Sequence, residues 1–148
     1  MTVVESLACN FVVEPALLPA SERLRSVVHQ AVSHAGYAGR GVERRREDRF
    51  PYPRLIRLSP VAADGVTPLS ESVVVVGKHL SPRGIDFFHR EPLPHRRMVA
   101  WLETKGGIVH PLLVELLWCR FTKEGWYDNG GRLVRVLDIV EEVGRRPT

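Results

Sequence analysis

Cysteine is scarce in this sequence, and the two cysteines present cannot organise the fold. Cys9 and Cys119 are far apart and match no metal-ligand spacing, so neither a disulfide framework nor a zinc site is expected. No apolar run approaches the length of a membrane-spanning helix. The N-terminal stretch carries Glu5 and Glu14 and has no basic segment followed by an apolar one, so a secretory signal is not expected. These absences predict a cytoplasmic protein with no membrane span and no metal.

Lysine is also rare. Only Lys78, Lys105 and Lys123 are lysines among the 21 basic residues, and the 17 acidic residues leave a net charge of +4. The arginines are clustered, which favours an anionic partner, although a high arginine content can also reflect composition alone. With 148 residues, the chain has the usual length of one domain and can bury a core without covalent cross-links.

The first part of the chain, residues 1–40, is predicted to be an extension that carries one helix at about 21–35. Ser21 can cap this helix and Gly36 can end it. Between them, apolar residues recur at helical spacing: Leu24, Val27, Val28, Ala31 and Val32. This apolar stripe packs either onto the domain that follows or onto a partner, which would be another protein or a second copy of the chain.

Residues 41–148 have the pattern of a mainly β domain. Short segments of β character, bounded by Pro, Gly or charged residues, are found at 52–58, 73–76, 85–89, 98–103, 108–121 and 132–140. The Asp-Asn-Gly-Gly sequence at 128–131 predicts a hairpin turn, because these residues tolerate positive φ. Six or so short strands with regular turn signals predict a closed β-barrel or a sandwich, and we expect the barrel, preceded by the amphipathic α-helix.

Two stretches contain the residues best suited to bind a ligand. In the first, at 43–49, four guanidiniums fall within a loop, and each can bind a phosphate with two parallel hydrogen bonds. Taken alone, this stretch is more typical of a solvated loop than of a ligand site, since Glu43, Glu47 and Asp48 offset much of its charge. In the second, at 78–84, Ser81 and Gly84 are presented on a tight connection between two strands.

Together the two stretches resemble the paired motifs of PilZ domains. An RxxxR motif runs from Arg45 to Arg49, and an xLSxxG motif, His79-Leu80-Ser81-Pro82-Arg83-Gly84, follows about thirty residues later after a strand. The resemblance covers roughly residues 43–140 and leaves the N-terminal helix outside. It implies a six-stranded barrel that binds cyclic di-GMP in bacterial second-messenger signalling.

The resemblance also implies roles for individual residues. Arg45 and Arg49 would bind phosphate and guanine, while Ser81 and Gly84 would hold the ligand on the barrel side. Arg44 would favour a stacked pair of ligands over a single molecule. The chain departs from the family at His79, where Asp or Asn is expected, because a neutral imidazole has one acceptor nitrogen and a carboxylate has two oxygens. Restoring Asp at position 79 is therefore expected to tighten binding.

Other functions remain open at this point. The domain could be a degenerate PilZ adaptor that binds protein partners without a nucleotide. A small barrel that binds RNA or single-stranded DNA would need aromatic platforms, and Trp101, Trp118 and Trp126 lie in strands or beside turns where core packing is the commoner role. Nucleic acid is therefore not the expected partner. No catalytic residue, metal site or cofactor is predicted, because the sequence has no catalytic spacing or Walker motif.

Overall fold

The structure, a computed structural model, describes residues 11–12, 20–36, 49–65 and 67–139. One helix lies in this part of the chain, α1 (Ala20–His34). A 3-10 turn, Lys105–Gly107, precedes the longest strand. The strands are β1 (Phe11–Val12), β2 (Phe50–Pro51), β3 (Leu55–Pro60), β4 (Val73–Leu80), β5 (Gly84–His89), β6 (Arg97–Glu103), β7 (Val109–Phe121), β8 (Tyr127–Val136) and β9 (Asp138–Ile139).

Six antiparallel strands close into a barrel, which confirms the predicted fold class. The order around the barrel is β4-β3-β6-β7-β8-β5, and a second pairing of β5 with β4 completes the ring. The short strand β2 is an additional strand that pairs with the end of β4, where Phe50 faces Leu80. A separate two-stranded pair joins β1 to β9. Closure leaves few free strand edges in the described barrel, since each barrel strand has a neighbour on both sides.

Helix α1 packs its apolar stripe against the barrel. The five predicted stripe residues are buried, with Val28, Ala31 and Val32 fully inaccessible, and they share one hydrophobic core with barrel residues such as Phe87 and Leu112. The structure therefore shows the intramolecular alternative for this face. The helix begins at Ala20, so Ser21 lies inside its first turn and does not precede it. Within the described residues no helix has the length and apolar character to cross a membrane.

The hairpin turn predicted at 128–131 is wrong. These residues lie inside β8, where Asn129 is 1% exposed. The turn between β7 and β8 lies earlier, where Gly125 adopts a φ of 91° and the Thr122 backbone N–H donates to the Trp126 carbonyl at 2.8 Å. Gly130 and Gly131 lie inside β8 because neighbouring atoms leave no room for a Cβ at these positions. A Cβ at Gly131 would lie 2.8 Å from the Glu115 carbonyl oxygen.

Candidate functional site

A cleft of about 380 Å³ opens on the outside of the barrel, across β4, β5, β8 and β7. We call it the arginine cleft. It is lined by Arg49, His79, Leu80, Ser81, Arg83, Gly84, Ile85, Asp86, Leu117, Trp118, Gly130, Gly131 and Arg132. Four of the six residues predicted to bind ligand are among these: Arg49, His79, Ser81 and Gly84. The other two, Arg44 and Arg45, lie outside the described residues.

Strand register explains which side chains meet in the arginine cleft. His79 pairs with Asp86, Asp86 with Gly130, and Gly130 with Trp118, so these four residues form one row across four strands. Because directly paired residues point to the same face of a sheet, the row shares the outer surface of the barrel. A register shift between Gly77 and His79 in β4 sets this alignment.

Arg49 connects the two sequence motifs. Its Nη2 lies 3.0 Å from His79 Nδ1 and 3.2 Å from Asp86 Oδ2. Since arginine has no acceptor, the hydrogen bond with His79 requires that the imidazole nitrogen accept and the guanidinium donate. The Arg49 side chain is 41% exposed, so part of its donor fork stays open to solvent. Arg49, the last residue of the RxxxR motif, therefore contacts His79, the first residue of the xLSxxG motif.

Ser81 organises the turn between β4 and β5. Its Oγ accepts hydrogen bonds from the backbone N–H groups of Arg83 and Gly84, each at 3.1 Å. The residue is 7% exposed, and its hydroxyl donates to the Gly84 carbonyl oxygen at 3.5 Å, so its hydrogen bonds hold the turn that shapes this side of the cleft. Gly84 is required by close packing, because a Cβ there would lie 2.7 Å from the Gly131 carbonyl oxygen.

Trp118 forms one end of the row and was not predicted as a site residue. It is 41% exposed, and its indole lies directly over Gly130. The Arg120 guanidinium carbon lies 4.9 Å from the indole ring centroid. An exposed indole beside arginines can bind a planar ring by stacking. The sequence gives little indication that Trp118 belongs to the site, because its position depends on pairing with Gly130 in the neighbouring strand β8.

The charges around the arginine cleft favour the binding of an anionic ligand. Arg49, Arg83 and Arg132 line it, and Asp86 is the acidic residue among the lining side chains. Arg132 is also held by Glu115, whose Oε1 accepts a hydrogen bond at 2.8 Å. This hydrogen bond lowers the pKa of Glu115, against an opposing effect of desolvation, so that carboxylate stays ionised and fixes the guanidinium beside the cleft.

The arrangement can bind a ligand that combines negative charge with a flat ring. Among the described residues, no group of three or more His, Cys, Asp or Glu side chains converges to hold a metal ion. A second cleft lies beside helix α1 and is lined by His29, His34 and Lys105 with three other residues, but it shares none of the predicted site residues. Searches of known protein families, curated proteins and solved structures found no match to this chain.

Proposed function

We propose that this chain is a signalling module that binds cyclic di-GMP in the arginine cleft. The observation that carries the proposal is the contact between Arg49 and His79, at 3.0 Å, in a cleft that also contains Ser81 and Gly84. These residues belong to two stretches that are thirty positions apart and that together resemble the PilZ motifs. The same resemblance predicts a six-stranded barrel, which is the fold of the described chain.

Phosphate would be bound by guanidiniums. Arg49 uses only Nη2 for its contacts with His79 and Asp86, so its other N–H groups can bind a phosphate while those contacts remain. Arg83 is exposed at the rim of the cleft. Arg45 is four residues before Arg49, so its Cα is within about 14 Å of the Arg49 Cα. That distance allows both members of the RxxxR motif to reach one ligand, with Arg44 beside them to favour a second stacked molecule.

A guanine base would stack on Trp118. The Arg120 guanidinium now over the indole is 68% exposed and forms a 3.5 Å ion pair with Asp128. Asp128 is only 7% exposed, but it is also paired with Lys78 at 3.0 Å, so it keeps a cationic partner when Arg120 moves away. Stacking of a base on an aromatic side chain contributes about 1–3 kcal/mol, so the base can replace the guanidinium. The cleft of about 380 Å³ has room for part of the dinucleotide.

An adaptor that binds a protein without nucleotide is the second candidate. The observation that favours it is a group of exposed apolar residues on β3 and β4, where Leu55 is 72%, Val74 55% and Val76 36% exposed. Leu55 pairs with Val76, so their side chains share the outer face of the barrel. Exposed apolar patches of this kind mark protein-interaction surfaces when they are large.

Calorimetric titration with cyclic di-GMP at low salt tests the proposal. We expect saturable binding with a dissociation constant in the micromolar range or below, and no comparable heat from GMP or cyclic AMP. Arg49→Ala and Arg45→Ala should each remove most of the binding, because each loses charge-assisted hydrogen bonds. Arg25→Ala is the matched control, because Arg25 is exposed on α1 and does not line the arginine cleft. Absence of heat up to ~100 μM ligand would falsify the nucleotide proposal and leave the adaptor.

A further inference from the structure

Asp86 occupies the centre of the arginine cleft. Its side chain is 13% exposed and lies between the two groups that the RxxxR and xLSxxG motifs contribute. Oδ2 accepts a hydrogen bond from Arg49 Nη2 at 3.2 Å, and Oδ1 accepts one from the His79 backbone N–H at 2.8 Å. The contact with the His79 N–H fixes the carboxylate on the cleft floor, because the backbone of β4 is part of the barrel.

The carboxylate retains acceptor capacity. An ionised carboxylate has about four acceptor sites, of which the two hydrogen bonds above use one on each oxygen. His79 is a poorer acceptor for a ligand, because its Nδ1 already accepts a hydrogen bond from Arg49 Nη2 at 3.0 Å. In the arrangement seen here, the Asp86 carboxylate is the better acceptor for a ligand with two neighbouring donors.

Guanine is a base with that pattern of donors. Its N1–H and its exocyclic N2 amino group lie side by side on the Watson–Crick edge, and both can donate to one carboxylate. Adenine presents an acceptor at N1 beside its amino group, so it does not complement a carboxylate in this way. A base stacked on Trp118 would lie in the same row as Asp86, because both residues pair with Gly130.

We propose that the Asp86 carboxylate accepts hydrogen bonds from the Watson–Crick edge of guanine in the ligand, and so supplies the pair of acceptors that His79 lacks. The proposal rests on the proposed function, because it assigns a base-reading residue to the same cleft. It makes Asp86 the residue that determines base specificity. Arg49 and the other guanidiniums then bind the phosphates, which carry no information about the base.

Cyclic di-IMP, whose hypoxanthine bases lack the N2 amino group, separates base reading from phosphate binding. We expect the parent chain to bind cyclic di-GMP about 10- to 100-fold more tightly than cyclic di-IMP, since one charge-assisted hydrogen bond is lost per base read. Asp86→Ala should bring this ratio close to one, and Asp86→Asn should reduce it. Glu71→Gln should leave it unchanged, because Glu71 is exposed and does not line the cleft.

The outcomes distinguish three cases. A ratio that stays at the parent value in Asp86→Ala and Asp86→Asn would overturn the assignment while the binding itself supports the proposed function. If both ligands also bind more weakly by the same factor, the ratio is again unchanged, and Asp86 acts by positioning Arg49 and does not determine base specificity. Binding of neither ligand by the parent chain would remove the proposed function together with this inference. Thermal melts of each variant show that the comparison is made on folded protein.

His79→Asp gives an independent test. It would place a second carboxylate beside Asp86, where the imidazole Nδ1 now lies 3.3 Å from Oδ1, and like charges at this distance disfavour each other. The family pattern alone predicts that this variant tightens binding, but with Asp86 present we expect no gain in affinity. A gain of tenfold or more would assign the acceptor pair to position 79 and would overturn the role given to Asp86.

Discussion

Gly130→Ala should reduce ligand binding with little effect on stability. A Cβ at this position would lie 2.1 Å from Cε2 and 2.3 Å from Nε1 of the Trp118 indole. Ordinary van der Waals contact begins near 3.4 Å, so the indole must retreat by about 1.3 Å or rotate away. Because Trp118 is 41% exposed, the side chain can turn towards solvent and the backbone of β8 need not move.

The two effects differ in size. Loss of the stacking surface should cost about 1–3 kcal/mol of binding, or about a 5- to 150-fold weaker affinity. The free energy of unfolding should change by less than about 1 kcal/mol, because replacement of glycine by alanine reduces the entropy of the unfolded chain and offsets part of the lost packing. Gly130 is not among the described glycines with positive φ, so alanine can adopt its backbone conformation.

Gly131→Ala is the comparison for the stability effect, at a neighbouring glycine that also lines the cleft. There the added Cβ would meet the Glu115 carbonyl oxygen at 2.8 Å, and a strand must shift, so we expect a loss of about 1–3 kcal/mol in stability. Urea unfolding and calorimetric titration measure the two effects separately. An unchanged dissociation constant in both Gly130→Ala and Trp118→Ala would refute the role of the indole.

Two further predictions concern pH. Burial raises the pKa of Tyr52, while Arg54 opposes the rise and Glu103 adds to it, so the folded state favours the neutral phenol. The stability that this gives is complete below the ordinary tyrosine pKa of about 10 and should decline as the pH rises above that value. Urea unfolding between pH 8 and 11 should show this decline in the parent chain and a smaller one in Tyr52→Phe. The hydrogen bond from Arg132 lowers the pKa of Glu115, so its contribution is present above the ordinary glutamate value and is lost as the pH falls through the lowered one. Glu115→Gln should flatten the stability profile at acidic pH, and an unchanged slope would contradict this.

Patterns formed by residues close together in the sequence predicted the fold well. The helix expected at 21–35 is observed at Ala20–His34, because the spacing of its apolar residues sets the buried face directly. The predicted strands overlap β3 to β8, and closure into a barrel follows from their number and short turns. The turn at 128–131 was misplaced because local propensity favours it, while contacts from β7 decide that Gly130 and Gly131 lie in a strand.

The candidate site was only partly predictable for the same reason. Arg49, His79, Ser81 and Gly84 were found through sequence motifs, which are local. Asp86 and Trp118 were not, because their place in the cleft depends on register across strands far apart in the chain. Asp86 faces His79 only because β4 shifts register after Gly77. A glycine inside a strand indicates a bulge, but it does not say which residues then pair. Trp118 reaches the cleft through its pairing with Gly130.

The most direct test of the central claim is to map where cyclic di-GMP binds on the folded chain. Amide nuclear magnetic resonance spectra recorded during a titration should show the largest shifts in the Trp118 indole N–H and in the backbone N–H groups of Gly84, Asp86 and Gly130. The helix-side cleft that contains His29 should show little change. Shifts concentrated on that cleft, or on the exposed apolar residues of β3 and β4, would contradict a nucleotide site in the arginine cleft.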